Sequence, residues 1–234
     1  MEFLTKVAQA FQHGGFWMWP IMFIQITSIA IIIERTYALF VRRKLNQTAY
    51  ALGFEESIRR GEMDAVITKA QSGATENPVA RAIAAGAMAA RNMGGKEEIQ
   101  GKMDEVLLEE NGHLDYRTGF LTMLGNVATL TGLLGTISGM ISSFAAVAFA
   151  NPAEKASLLS AGISEAMNAT AYGLIAAIPA LVAYAILQNR ANRLAEDLNQ
   201  GGLKVYNWLS YSYDPITSYQ IKTNKSERHT EVNA

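Results

Sequence analysis

The stretch TGFLTMLGNVATLTGLLGTISGMISSFAAVAFANPA, residues 118–153, and the shorter AMNATAYGLIAAIPALVAYAILQN, residues 166–189, contain no charged side chain. At 1.5 Å rise per helical residue each is long enough to cross the roughly 30 Å hydrocarbon layer of a bilayer. Twelve residues separate them, so they read as an antiparallel helical hairpin. Each arm carries a threonine, Thr136 and Thr170, and with the turn centred near Ala153 both lie 17 residues from it. Hydrocarbon offers a hydroxyl no hydrogen-bond partner, so two at equal depth predict a shared polar path.

A third uncharged stretch, Phe16 to Ile33, spans roughly 27 Å as a helix and is followed by Glu34, Arg35, Arg42, Arg43 and Lys44. A cleaved signal peptide carries its positive charge ahead of the apolar run and a small-residue cleavage site behind it. Here the positive cluster follows the run and no small-residue cleavage site stands behind it, which predicts a retained first span. Ahead of it, Phe3, Leu4, Val7, Ala8 and Phe11 fall at helical spacing and predict an amphipathic helix over residues 1–15 at the outer interface, with Trp17 and Trp19 in the aromatic belt.

Apolar residues make up 50% of the chain and charged ones 18%, and the charges are segregated. Of 20 Lys and Arg, 12 lie from Arg35 to Arg117 and six follow Gln188, leaving Lys6 and Lys155 elsewhere. The excess of positive charge in cytoplasmic loops sets the orientation. The predicted division is 16–34 first span, 35–117 cytoplasmic insert, 118–150 second span, 151–157 periplasmic loop, 158–188 third span and 189–234 cytoplasmic helix and tail. The expected fold class is therefore all-α, a polytopic membrane protein with three transmembrane helices and long helices reaching into the cytoplasm.

Catalytic signals are lacking. There is no cysteine, and His13, His113 and His229 have no companion at metal-ligand spacing. No phosphate-binding loop or nucleophile elbow occurs, and a net charge of −1 does not favour a nucleic-acid surface. The chain reads as a non-enzyme without a metal or cofactor.

In the insert, Ala, Glu, Met and Arg dominate and β-branched alternation is absent, which predicts helices throughout. Asn77 followed by Pro78 marks a helix start and Gly94-Gly95 a stop, with Val79, Ala80, Ile83, Ala84, Ala87 and Met88 as one apolar face. From Lys96 onward, Ile99, Met103, Val106, Leu107 and Glu110 continue at helical spacing, and one helix of about 50 residues is expected to run unbroken into the second span. Its own chain is too small to cover such a helix, so neighbouring copies are expected to do so.

The second span shows two stripes. Gly125, Ala128, Gly132, Gly135, Gly139 and Ser142 form a small-residue seam for close approach of another helix. Beside it Thr122, Asn126, Thr129 and Thr136, continued by Ser143, form a polar stripe read as pore-facing. Each hydroxyl alone is equally explained by a bond back to the carbonyl one turn earlier, whereas Asn126 cannot satisfy itself so simply. In the third span Glu165 lies about 140° around the helix from Thr170, either as an interfacial carboxylate or lining a hydrated cavity. Pro179 predicts a kink.

Leu133-Leu134-Gly135-Thr136-Ile137-Ser138-Gly139-Met140, with Gly162-Ile163-Ser164-Glu165-Ala166, Thr170-Ala171-Tyr172-Gly173-Leu174 and Ala177-Ile178-Pro179-Ala180-Leu181, resembles the MotA/TolQ/ExbB proton-channel family. Asn168 departs from it, standing where an apolar residue is expected, and the aromatic tail after Gly202 has no counterpart in the resemblance. Three spans match the ExbB and TolQ branch rather than four-span MotA. The resemblance implies a homopentamer around a dimer of an ExbD/TolR-like one-span protein whose membrane aspartate accepts the proton. Thr136, Thr170 and Glu165 match the family's ion-path positions, and the work would pass through a TonB- or TolA-like protein. Protons are the implied ion, with Na⁺ open. Gliding or flagellar motility, or a non-conducting membrane scaffold, are the alternatives.

Overall fold

The structure, a computed structural model, describes residues 15–43, 46–75 and 77–212. The interfacial helix expected over 1–15 lies outside the described residues except for Gly15, and so does the tail after Ser212. All regular structure among the described residues is helical: α1 Met18–Thr36, a π-helical turn Tyr37–Arg42, α2 Gln47–Leu52, α3 Glu55–Arg59, α4 Met63–Gly73, α5 Pro78–Arg91, α6 Lys96–Asp115, α7 Thr118–Ala148 and α8 Pro152–Ser212. The chain divides into two compact units, one of Met1–Val41 with Asp115–Arg190, the other of Arg42–Leu114 with Ala191–Ala234.

The first unit holds the membrane spans. Three helical stretches, within Met18–Arg59, Lys96–Ala148 and Pro152–Tyr211, are long and apolar enough to cross a membrane, yet only 17%, 17% and 28% of their apolar windows are buried within the chain. Water does not tolerate apolar surface on that scale, so lipid or other protein covers it. Leu130, Ile141 and Ile178 are among the side chains left outside. α8 begins at Pro152 rather than near Ala156, and Pro179 sits inside it without interrupting the helix.

The helix expected to continue unbroken from Lys96 does not. α6 ends at Asp115, and Arg117 adopts φ 61° before α7 starts at Thr118. A left-handed residue cannot continue a right-handed helix. Arg117 Nη1 donates to both oxygens of Glu34 at 3.1 Å, its guanidinium lies over the Tyr116 ring, and Arg35 Nε donates to Thr118 Oγ1 at 3.1 Å. Helical periodicity does not register such pairing with the end of α1. Where α1 loosens into the π-turn, the Leu39 carbonyl accepts from Arg190 Nε at 3.4 Å and the same guanidinium lies over the Phe40 ring.

The second unit is a helical cluster with its own core of Phe54, Ile58, Val66, Val79, Ile83, Ile99, Met103, Leu198, Val205 and Leu209. α5 is its central rod. Beyond the predicted apolar face, Ala82, Gly86, Ala89 and Ala90 are also buried, so this alanine-rich helix is enclosed on most sides. Asn77 precedes α5 with Pro78 in the first turn, but the Asn77 side chain makes no capping bond. The helix ends at Arg91, with Asn92 and Met93 between it and the Gly94-Gly95 pair, Met93 taking φ 59° and Gly94 N donating back to Ala89 O at 3.0 Å. α6 buries Ile99, Met103, Leu107, Glu110 and Leu114 along one face. Ile99, Met103 and Leu107 join the unit's own core, so this chain covers the stripe that neighbouring copies were expected to cover.

Two polar arrangements lock the second unit. The Glu110 carboxylate, almost fully buried, pairs with Arg43 at 2.9 Å and with Arg81. Asp197 on α8 caps α2 from a distant part of the sequence, accepting from the backbone N–H groups of Asn46, Gln47 and Thr48 at 2.8, 2.6 and 3.2 Å. Burial pushes the Asp197 carboxyl up, but the bonds from Gln47, Thr48 and Asn46 outweigh it and hold it below its ordinary value. A carboxylate with a depressed folded-state pKa stabilises above its unfolded value and loses that contribution as pH falls through the folded value. Asp197→Ala is therefore expected to cost about 1–2 kcal/mol, read as a lower melting temperature at pH 7. The gap to the unsubstituted protein should begin to narrow below about pH 4, the ordinary carboxyl value, and close only once pH falls below the depressed folded-state value.

A candidate ion path at the threonine pair

The hairpin of α7 and α8 packs backbone against backbone. A Cβ added at Gly132 would stand 3.1 Å from the Ala169 carbonyl oxygen, 3.2 Å from Gly173 Cα and 3.3 Å from Thr170 Cα. One added at Gly173 would stand 2.8 Å from the Ala128 carbonyl oxygen. Gly125 faces Leu181, Gly139 faces Ala166, and Gly135 meets Ala169 and Trp17. The seam on the second span thus closes on the chain's own third span and on the start of its first. Trp17 is half-buried there, while Trp19 is exposed. The other half of the seam, Gly162, Ala166, Ala169, Gly173, Ala176, Ala177 and Ala180, was legible at the same 3 and 4 spacing but is not part of the sequence reading.

This close approach brings the two threonines together. The Thr136 and Thr170 hydroxyls are hydrogen-bonded to each other, and both are half-buried. Thr170 Oγ1 donates to the Gly132 carbonyl at 3.0 Å, and Thr136 Oγ1 approaches the Gly132 and Ala166 carbonyls at 3.3 and 3.4 Å. Gly132 serves twice, since its missing side chain lets α8 approach and its carbonyl becomes the acceptor. Two hydroxyls and two carbonyls make a neutral oxygen cluster that can accept from a hydronium, orient a water or exchange a proton without acquiring charge.

The polar stripe does not stay on one surface. Asn126 and Thr129 are exposed, with the Thr129 hydroxyl bonded back to the Gly125 carbonyl at 3.1 Å. Ser143 is 4% exposed and faces Gly162 inside the seam, its hydroxyl on the Gly139 carbonyl at 2.7 Å. The cause is helical drift: a seven-residue spacing slips about 20° per repeat on a straight helix, so the stripe begun at Thr122 rotates into the seam by Ser143. Thr122 itself keeps a buried Oγ1.

Glu165 stands apart from the pair. Its residue is exposed, and among the described residues its carboxylate makes no hydrogen bond to either threonine. It packs on Gly15, whose φ of 67° suits glycine and whose Cβ position the carboxylate already occupies. No group of His, Asp or Glu among the described residues is arranged to hold a metal ion.

The sequence profile of the MotA/TolQ/ExbB proton channel family matches residues 74–200, more than half of the chain and inclusive of both threonines. The chain belongs to that family. A Tol-Pal system protein TolQ from Haemophilus influenzae is 37% identical over 122 residues, covering 52% of this chain and 48% of its own length. A biopolymer transport protein ExbB from Pseudomonas putida is 36% identical over 89 residues, 38% of this chain and 27% of its own. These matches span about half or less of each relative. A biopolymer transport protein exbB1 from Vibrio cholerae aligns at 26% identity over 209 residues, 88% of this chain and 90% of its own. Among solved structures, that of C. jejuni MotAB superposes with a TM-score of 0.53 at 19% identity, covering 78% of this chain and 68% of that one, which shows a common fold. This family member is thus an all-helical membrane protein with three apolar helices of spanning length.

Proposed function

We propose that the chain is the channel subunit of a proton-driven motor in the bacterial inner membrane, with the N-terminus periplasmic and the C-terminus cytoplasmic. The observation that carries this reading is the bonded pair of Thr136 and Thr170 on bare backbone carbonyls, in a member of a proton channel family. The cluster can relay a proton but cannot store one, because no carboxylate is bonded to it among the described residues. The storing group then belongs to another chain. An ExbD/TolR-like one-span protein with a membrane aspartate supplies it, surrounded by a pentamer of this chain. Asn126 and Thr129, exposed on α7, are oriented toward that partner, and Glu165 adjusts the approach to the pair.

Proton entry down the gradient neutralises the partner's aspartate beside the threonines and releases its hold on one subunit. Each charge crossing 100 mV yields about 2.3 kcal/mol, so repeated sites around a ring are needed for useful work. The output passes through a TonB- or TolA-like protein, in keeping with relatives named ExbB and TolQ. To test this, the chain is co-expressed with a one-span protein bearing a membrane aspartate, and proton uptake into vesicles is followed. Uptake that needs both chains and stops when the aspartate becomes asparagine supports a channel. A complex that forms but never conducts would identify a scaffold instead.

A further inference from the structure

The charges that close the first span turn toward α7. Arg35 is buried against Thr118, and Glu34 pairs with Arg117. The outer face of the span stays apolar and exposed past them, through Ile26, Ile29, Ile33, Tyr37 and Phe40 at spacings of three and four. From exposed Trp19 to Phe40 is about 30 Å at 1.5 Å per residue, the thickness of the hydrocarbon layer, so an aromatic side chain stands at each boundary.

A second exposed stripe ends at the same place. Ile178, Val182 and Ile186 on α8 are exposed at intervals of one turn, and Arg190 stands one turn further on. The π-turn Tyr37–Arg42 supplies its two contacts. Arg190 Nε donates to the Leu39 carbonyl at 3.4 Å, and its guanidinium carbon lies 5.1 Å from the centre of the Phe40 ring. Among the described residues its two terminal nitrogens have no acceptor and no carboxylate pairs with it. A cation at the edge of hydrocarbon is costly without a counter-charge. Held at one nitrogen and over one ring, Arg190 presents a fixed fork of N–H donors, the shape that binds two oxygens of a phosphate.

We propose that Arg190, seated on the Tyr37–Arg42 turn, binds the phosphate of an anionic phospholipid whose acyl chains cover the exposed stripes leading to it. The site stands apart from the ion path and does not depend on it. In the orientation proposed above it faces the cytoplasmic leaflet. Charge complementarity decides the occupant. Exposed Arg42 closes the same turn, and 12 of the 20 Lys and Arg lie from Arg35 to Arg117, an excess that favours an anionic headgroup over a zwitterionic one. A second copy of the chain would have to bring a carboxylate to an apolar boundary, where the headgroup layer already holds phosphate.

The test uses the full chain in detergent, with melting followed on addition of phosphatidylglycerol or phosphatidylcholine and the retained lipid counted by native mass spectrometry. Phosphatidylglycerol is expected to raise melting more and to be retained preferentially. Arg190→Gln is expected to weaken its binding about 10-fold, with Arg190→Lys between the two. The readout is the rise caused by lipid, so a variant that melts lower on its own remains informative. Phe40→Leu, which keeps the apolar surface and removes the ring, is expected to weaken binding about threefold and serves if Arg190→Gln does not fold. Equal retention of the two lipids overturns the site, and so does phosphatidylglycerol binding that neither variant alters. Inorganic phosphate that raises melting as much as phosphatidylglycerol also overturns it, by marking a site for a soluble anion. An Arg190→Gln variant that keeps the lipid preference but loses subunit association overturns it too, by giving this face to a second copy.

Discussion

Gly173→Val is expected to prevent the second and third spans from packing, so that the variant reaches the membrane at a reduced level and fails to assemble. The new Cβ alone would stand 2.8 Å from the Ala128 carbonyl oxygen and 3.0 Å from Gly132 Cα, and both are backbone atoms that cannot rotate away. Relief requires the helices to separate, which undoes the contacts along the seam. Overpacking commonly costs about 1–3 kcal/mol, and a backbone-to-backbone clash lies at or above the top of that range. Gly132→Val should behave likewise, with Ala169 and Thr170 as the obstructing atoms. Gly119 in the same helix is the control, since nothing lies within 4 Å of its added Cβ and Gly119→Ala should be neutral. Detergent-resistant assembly and membrane abundance measure the effect. Normal abundance of Gly173→Val would contradict the close approach.

Thr136→Val and Thr170→Val are each expected to leave assembly intact and to lower proton flux by about 10- to 100-fold. Valine matches threonine in shape, and each side chain is only half-buried, so packing changes little. What is lost is one neutral oxygen at the point where positive charge passes. A hydrogen bond to a charged group contributes about 1.5–3 kcal/mol, and each 1.4 kcal/mol is roughly tenfold in rate. Serine at either position should restore much of the flux, since it supplies the same oxygen. Energised growth at normal membrane abundance, together with vesicle uptake, reads both arms.

How much of this was legible in the sequence differs by residue. The uncharged stretches, the Pro78 helix start and the glycine seam follow from composition and spacing, because lipid and close packing impose simple demands on side-chain type. The Thr136–Thr170 contact agrees with the expected equal depth, but not for the expected reason: the turn lies at 149–151, so Thr136 is 14 residues before its centre and Thr170 is 20 after it, and the close approach at Gly132 and Gly173 is what brings the two together. Three features were not legible. The break at Arg117 coincides with its pairing to Glu34 across 83 residues of sequence, and helical periodicity carries no trace of that contact. The capping of α2 by Asp197 is equally remote, joining Thr48 to a residue 149 positions away. Ser143 was placed on the polar stripe because a heptad spacing was carried too far along a straight helix, where the accumulated drift moves it into the seam. The second helix of the seam was visible throughout, and pairing each small-residue stripe with its counterpart would have found it.

The central claim is that the two threonines form one site rather than two polar positions at one depth. The measurement that tests it most directly is proton uptake by the double variant Thr136→Val/Thr170→Val, set beside the two single variants in the same vesicles. Groups that act as a unit are not additive. One shared site predicts that the double variant conducts about as well as the worse single variant. Losses that multiply, so that the double variant falls by the product of the two single effects, would contradict it.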